Sequence, residues 1–145
     1  MTSATERDGR ELLALWARCL DGVQTADPER IAACVTADVT MFVPFRGARD
    51  SVQGREAVVA LFARLFELTQ STLGPATNAG ITIERFECRP LAAEVYLAES
   101  MLRFGADIGR RSVIFGREAG EWRILHLHGS NVPAPPPGRL PAALG

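Results

Sequence analysis

The chain has 145 residues, a length suited to one domain, with 47% hydrophobic and 23% charged residues, so it has the composition of a globular protein with a real core rather than of a disordered one. Its net charge is −1 and every basic residue is an arginine, scattered without a cluster, which argues against a nucleic-acid-binding stripe. Three cysteines, Cys19, Cys34 and Cys88, at unrelated spacings support neither a disulfide framework nor a structural zinc.

In chain order, residues 1–9 read as a flexible N-terminus without the apolar stretch of a signal peptide. Over 11–24, Leu12, Leu13, Leu15, Trp16, Cys19, Leu20 and Val23 recur at three- and four-residue steps, which predicts an amphipathic helix. Asp27-Pro28-Glu29 has the form of an N-cap with proline at the first helical position, opening a short second helix through Cys34, with Thr36-Ala37-Asp38 ending it. Residues 39–43 are β-branched and aromatic and predict a short strand stopped by Pro44. An irregular stretch over 45–53 follows, with Arg46, Arg49 and Asp50 near an expected pocket mouth.

Gly54 precedes a strong third helix whose apolar face is Ala57, Val58, Leu61, Phe62, Leu65, Phe66 and Leu68, ending before Gly74-Pro75. Beyond it the period becomes two. The expected strands are 81–86, 93–104, 108–117 and 121–130, with turns at Arg89-Pro90 and Gly105-Ala106. Three helices with one early strand, then four strands in succession, predict an α+β fold with an antiparallel sheet. The proline-rich tail from 132 to 145 cannot join a ladder. No run approaches the ~20 apolar residues of a membrane span, so the expectation is a cytoplasmic protein without a membrane partner.

The order of elements, the strings Ala37-Asp38-Val39-Thr40-Met41-Phe42 and Gly54-Arg55-Glu56-Ala57-Val58, and above all Gly120-Glu121-Trp122-Arg123-Ile124-Leu125-His126-Leu127-His128-Gly129-Ser130, resemble the SnoaL-like (SnoaL-like domain 3) branch of the nuclear transport factor 2-like superfamily. The last string is also similar to the closing strand of the association (hub) domain of calcium/calmodulin-dependent kinases. The resemblance covers residues 10–131 and implies a cone-shaped fold, three helices on a curved antiparallel sheet, an apolar pocket between them, and a homodimer formed through the outer sheet face, where Glu94, Tyr96 and Ser100 are candidates. The superfamily holds enzymes and binding modules alike, so fold does not fix a reaction. Ketosteroid isomerases carry their general-base Asp just before the proline that follows the first strand, and Val43 stands there in this chain. The pocket arginines of the hub domain fall on Leu97, Val113 and Gly129, which implies a preference for apolar ligands.

Within 93–104, Leu97 matches a pocket position, and the two-residue period puts Glu99 and Met101 on its face. If a three-residue loop 104–106 closes the next hairpin, Leu97 faces Val113 and Glu99 faces Arg111. Glu99 is then either an acid/base group in an apolar pocket or half of a cross-strand ion pair. His126 and His128 share one face of the last strand: a two-residue Ala119-Gly120 hairpin turns them inward opposite Val113 and Arg111, whereas the match of Gly129 to a pocket position turns them outward. They are candidate proton-transfer partners or core and interface residues. Trp16, Phe42, Phe45, Phe62, Phe66, Leu97, Met101, Val113 and Phe115 are the candidate substrate-binding residues.

Two classes of function follow. The first is a cofactor-independent isomerase or cyclase acting on a hydrophobic polyketide- or steroid-like molecule, with Glu99 as acid or base, His126 or His128 as its partner and Arg111 stabilising negative charge. The second is a non-catalytic ligand-binding or hub-like oligomerising module, and hydration chemistry, as in epoxide hydrolases of this fold, is a further alternative. No phosphate loop, dinucleotide fingerprint or nucleophile elbow occurs, and the expectation is that neither cofactor nor metal is needed.

Overall fold

The computed structural model describes residues 4–45, 48–73 and 80–132. Three helices, α1 (Ala4–Gln24), α2 (Pro28–Ala32) and α3 (Arg55–Leu73), pack on one six-stranded sheet of β1 (Val35–Phe42), β2 (Val52–Gln53), β3 (Ile81–Ala92), β4 (Val95–Phe104), β5 (Asp107–Glu118) and β6 (Glu121–Val132). The expected α+β architecture is therefore present. The strand order is β2-β1-β6-β5-β4-β3, antiparallel throughout except for the parallel β1–β6 pair. The proline-rich tail beyond 132 and Arg46 lie outside the described residues.

Helix α1 begins at Ala4 rather than at residue 11, so residues 4–9, expected to be flexible, are helical. They are tied down: Tyr96 Oη donates to Asp8 Oδ2 at 3.0 Å, and one turn on Trp122 Nε1 donates to Glu11 Oε2 at 3.0 Å. Leu12, Leu15, Trp16, Cys19 and Leu20 form its buried stripe, with Leu13 exposed. In α2, Asp27 Oδ1 accepts from the Arg30 N–H at 3.2 Å, satisfying one of the free donors of the first turn as an N-cap should. Helix α3 buries Val58 and Phe62 and leaves Leu68 exposed.

The strands depart from the expected pattern at their turns and edges. Strand β1 starts at Val35, directly after α2, not at residue 39. The β3–β4 turn falls at Ala93-Glu94, with Glu94 at φ 57°, and Arg89-Pro90 lies within β3. Because β3 is the sheet's edge, the N–H that Pro90 lacks can point away from the ladder at no cost. The β4–β5 hairpin closes with two residues, Gly105-Ala106, pairing Phe104 with Asp107. That is one residue shorter than the loop expected, and side chains alternate across a sheet, so the difference inverts the facing of β4. Tyr96, Ala98, Ser100 and Leu102 are buried against the helices, while Glu99 lies on the solvent side. Tyr96 and Ser100, expected on an outer dimer surface, are thus core residues.

Two bulges correct the faces elsewhere. One extra residue in β3 between Ile83 and Arg85 lets both Ile83 and Phe86 pack inward. In β6, Leu125 is the extra residue: Phe115 pairs with Ile124 but Ile114 pairs with His126. Gly116 makes room for it, since a Cβ there would stand 2.6 Å from Leu125 Cδ1. A buried hydrogen-bond chain joins helix layer to sheet, in which Trp16 Nε1 donates to Ser100 Oγ at 3.0 Å and Ser100 donates to the Arg85 carbonyl at 2.9 Å.

Candidate functional site

Between the helices and the inner sheet face lies a cavity of about 240 Å³. Its walls are predominantly apolar. Trp16, Cys19, Leu20 and Val23 come from α1, Met41 from β1, Phe62 from α3 and Leu127 from β6, while Val43, Pro44 and Phe45 close it from the segment after β1. Each of these reaches the cavity because its element turns an apolar stripe or alternate strand residue toward the core.

Arg111 on β5 and Asn131 on β6 are the polar groups that line this cavity. Arg111 faces inward opposite Gly129. Its Nη1 donates to the carbonyls of Arg110 and Ser130 and to Asn131 Oδ1, each at 3.0 Å. The guanidinium carbon stands 5.5 Å from the Phe104 ring centroid, in reach of a cation–π attraction. Among the described residues, no carboxylate pairs with Arg111, and Nε and Nη2 make no hydrogen bond. Burial removes water from the charged form and lowers its pKa to about 10, so the group stays protonated at neutral pH. A cation held by neutral oxygens in an apolar chamber can pair with an anionic group.

Of the residues singled out from the sequence, Trp16, Phe45, Phe62 and Arg111 meet at this cavity. Phe66 packs on Phe62 with ring centroids 5.9 Å apart, and Val113 and Phe115 are wholly buried in the sheet's inner face without lining the cavity. Leu97, Glu99 and Met101 point to the opposite side, because the two-residue hairpin pairs Glu99 with Ser112 and Ser100 with Arg111. The expected Glu99–Arg111 pair is therefore absent. Glu99 instead reaches Arg85 Nη2 at 3.7 Å with its side chain 64% exposed.

His126 and His128 also face outward. The Ala119-Gly120 turn has the expected two residues, but the Leu125 bulge shifts the register by one and puts His128 opposite Ser112 rather than Arg111. Thr40 Oγ1 and His126 Nδ1 share a hydrogen bond of 2.7 Å, and Phe42, 40% exposed, lies 5.2 Å from the His128 ring centroid. Phe42 is thus a surface residue of the outer face and not a cavity wall. Glu99 and His128 do border a common space, an open polar cleft of about 330 Å³ on that face, with Arg85, Arg110 and Ser130 around it.

The sequence reading missed Cys19 and Asn131 as cavity residues. For Cys19 the signal is its place in the α1 stripe beside Trp16; for Asn131, the strand runs past its expected end at Ser130 to Val132. The hub-domain match implies a preference for apolar ligands, and Arg111, paired with Gly129 across the strands, adds a cation to that otherwise mainly apolar wall. Among the described residues no group of three His, Cys, Asp or Glu is placed to hold a metal, and no helix is long and apolar enough to cross a membrane.

No curated protein matches the chain. Among solved structures, an uncharacterised cystatin-like-fold protein of Caulobacter vibrioides aligns with TM-score 0.71 and 20% identity over 86% of this chain and 90% of its own. A protein of Streptomyces avermitilis, provisionally described as a dehydratase of the NTF2-like family, aligns with TM-score 0.71 and 11% identity over 90% of this chain and 100% of its own. A protein of Xanthomonas campestris, provisionally described as a calcium/calmodulin dependent protein kinase II association domain, aligns with TM-score 0.66 and 16% identity over 86% and 87%. At these identities the likeness is one of fold. The family model of the SnoaL-like domain matches residues 10–135, and the chain belongs to that family.

Proposed function

We propose that this domain binds a small, mainly apolar molecule carrying one anionic or strongly polarised oxygen group, such as a carboxylate or enolate, in the cavity between helices and sheet. The observation that carries the reading is Arg111: a guanidinium facing an apolar chamber, with Nη1 anchored to neutral oxygens and Nε and Nη2 free of partners among the described residues. The apolar walls supply affinity through burial, and Arg111 selects the charged end.

The isomerase or cyclase reading keeps one component here, since a guanidinium in a water-poor site can stabilise an oxyanion as it forms. Proton transfer in the cavity has less support. Glu99, His126 and His128 belong to the outer face, and among the described residues the cavity lining contains no carboxylate or imidazole. The described geometry therefore favours binding over acid/base chemistry.

Calorimetric titration with naphthoate, and with naphthalenemethanol as its neutral counterpart, tests this. Naphthoate should bind more tightly than the alcohol. A hydrogen bond to a charged group is worth about 1.5–3 kcal/mol, so Arg111→Met should weaken naphthoate by roughly 10–100-fold and leave the alcohol nearly unchanged. Equal affinity of the two probes for the wild-type protein would remove the basis for the reading.

A further inference from the structure

Arg30, Arg55, Arg85, Arg103, Arg117 and Arg123 each pair with a carboxylate. Arg111, which lines the cavity, meets an amide where those arginines meet an acid: its Nη1 donates to Asn131 Oδ1 at 3.0 Å. A guanidinium can only donate, so the oxygen of Asn131 is the atom turned toward it, and the donor Nδ2 points elsewhere. Among the described residues Nδ2 makes no hydrogen bond.

The backbone holds both partners in place. Asn131 is in register with Gly109 on β5, and Arg111 with Gly129 on β6. Each glycine makes room for the guanidinium: a Cβ on Gly109 would stand 3.2 Å from Arg111 Nη1 and 2.4 Å from Phe104 Cε2, and one on Gly129 would stand 3.1 Å from Arg111 Nε. The Phe104 ring, seated over Gly109, has its centroid 5.5 Å from the guanidinium carbon. Asn131 lines the cavity and stays exposed to water, so it stands at the cavity's opening beside the charge it anchors.

We propose that Asn131 determines the charge specificity of the cavity: it anchors Arg111 through a neutral oxygen and so leaves the cation's charge for the ligand. The inference rests on the reading that Arg111 receives the ligand's anionic group. An aspartate at this position has nearly the same shape and would accept the same hydrogen bond. Its charge, however, would offset that of the guanidinium and repel a second carboxylate entering beside it. Partial burial of Arg111 keeps that effect from being screened away by salt. The same change also removes the Nδ2 donor.

Two variants of the full chain separate this role from a structural one, each titrated calorimetrically with naphthoate and naphthalenemethanol beside the wild type. Asn131→Asp should bind naphthoate roughly 10–100-fold more weakly, the range expected when a charge-assisted contact is offset, and should lose the preference for naphthoate over the alcohol. Asn131→Ala gives up the anchor but leaves the cation uncompensated, so it should keep that preference with naphthoate affinity lowered by less than about tenfold. A purely structural role gives the reverse order, because aspartate keeps the hydrogen bond that alanine loses. Naphthoate still preferred by Asn131→Asp, both probes weakened alike in that variant, or the preference lost in Asn131→Ala would each overturn this inference while the wild-type preference, and the reading beneath it, stands. Equal affinity of the two probes for the wild type would instead remove that reading and this inference with it.

Discussion

Gly129 shows how much one residue's missing side chain decides. A Cβ there would stand 3.1 Å from Arg111 Cδ and Nε and 3.1 Å from Pro44 Cδ, so the glycine is the space in which the guanidinium lies. Gly129→Val should push Arg111 from its anchor on the Ser130 carbonyl and Asn131. The expected result is naphthoate affinity lowered by about tenfold and a stability loss of ~1–3 kcal/mol from overpacking, read by calorimetric and urea titrations of the same variant. A variant that binds naphthoate as well as wild type would show that Arg111 is not held by this packing. The inward facing of Arg111 was legible from the sequence, because it shares the two-residue period of Val113 and Phe115. Its anchor on Asn131 was not, because that contact depends on where β6 ends. Glu99 was misplaced for a reason equally local, since Gly105-Ala106 can close a hairpin alone or with Phe104, and the two options give opposite faces.

At the level of elements, the tie between α1 and the sheet is the Trp16–Ser100–Arg85 chain. Ser100→Ala removes the acceptor of a buried indole N–H. Such an unsatisfied donor costs roughly 1–3 kcal/mol, so the variant should unfold at correspondingly lower urea with an unchanged slope. A variant as stable as wild type would mean that the indole finds another partner. The helices were readable because their apolar stripes are long and α2 carries its own cap in Asp27 and Pro28. The bulges were harder to see. Gly116 inside a strand was a hint of the one at Leu125, since a glycine there marks a close approach. That single inserted residue decides between the two facings the sequence leaves open: His126 and His128 keep their shared face, and the face is the outer one.

For the molecule as a whole, the end of the sheet near α3 is closed by Glu118. Its carboxylate accepts from the Ala37 N–H at 2.7 Å and from Arg55 Nη2 at 2.6 Å, while Arg55 also donates to the Val35 carbonyl at 2.7 Å. The Ala37 N–H first, and Arg55 second, lower the Glu118 pKa in the folded state. A depressed carboxylate stabilises the fold above its unfolded value of ~4.3, and the contribution is lost as pH falls through the lower folded value. Wild type should therefore be more stable than Glu118→Gln at neutral pH, and the gap should close in acid; a gap that persists unchanged would show that the charge is not what matters. The class of fold was legible in the succession of helices then strands. The parallel β1–β6 pair was not, because it joins the first strand to the last across most of the chain.

A crystal structure of the protein with naphthoate tests whether the inner cavity takes an apolar molecule by an anionic end. The rings should lie among Trp16, Phe45 and Phe62, with the carboxylate on Arg111 Nε and Nη2. Naphthoate in the outer cleft beside Arg85, Glu99 and His128, or in the cavity with its carboxylate turned away from Arg111, would contradict it.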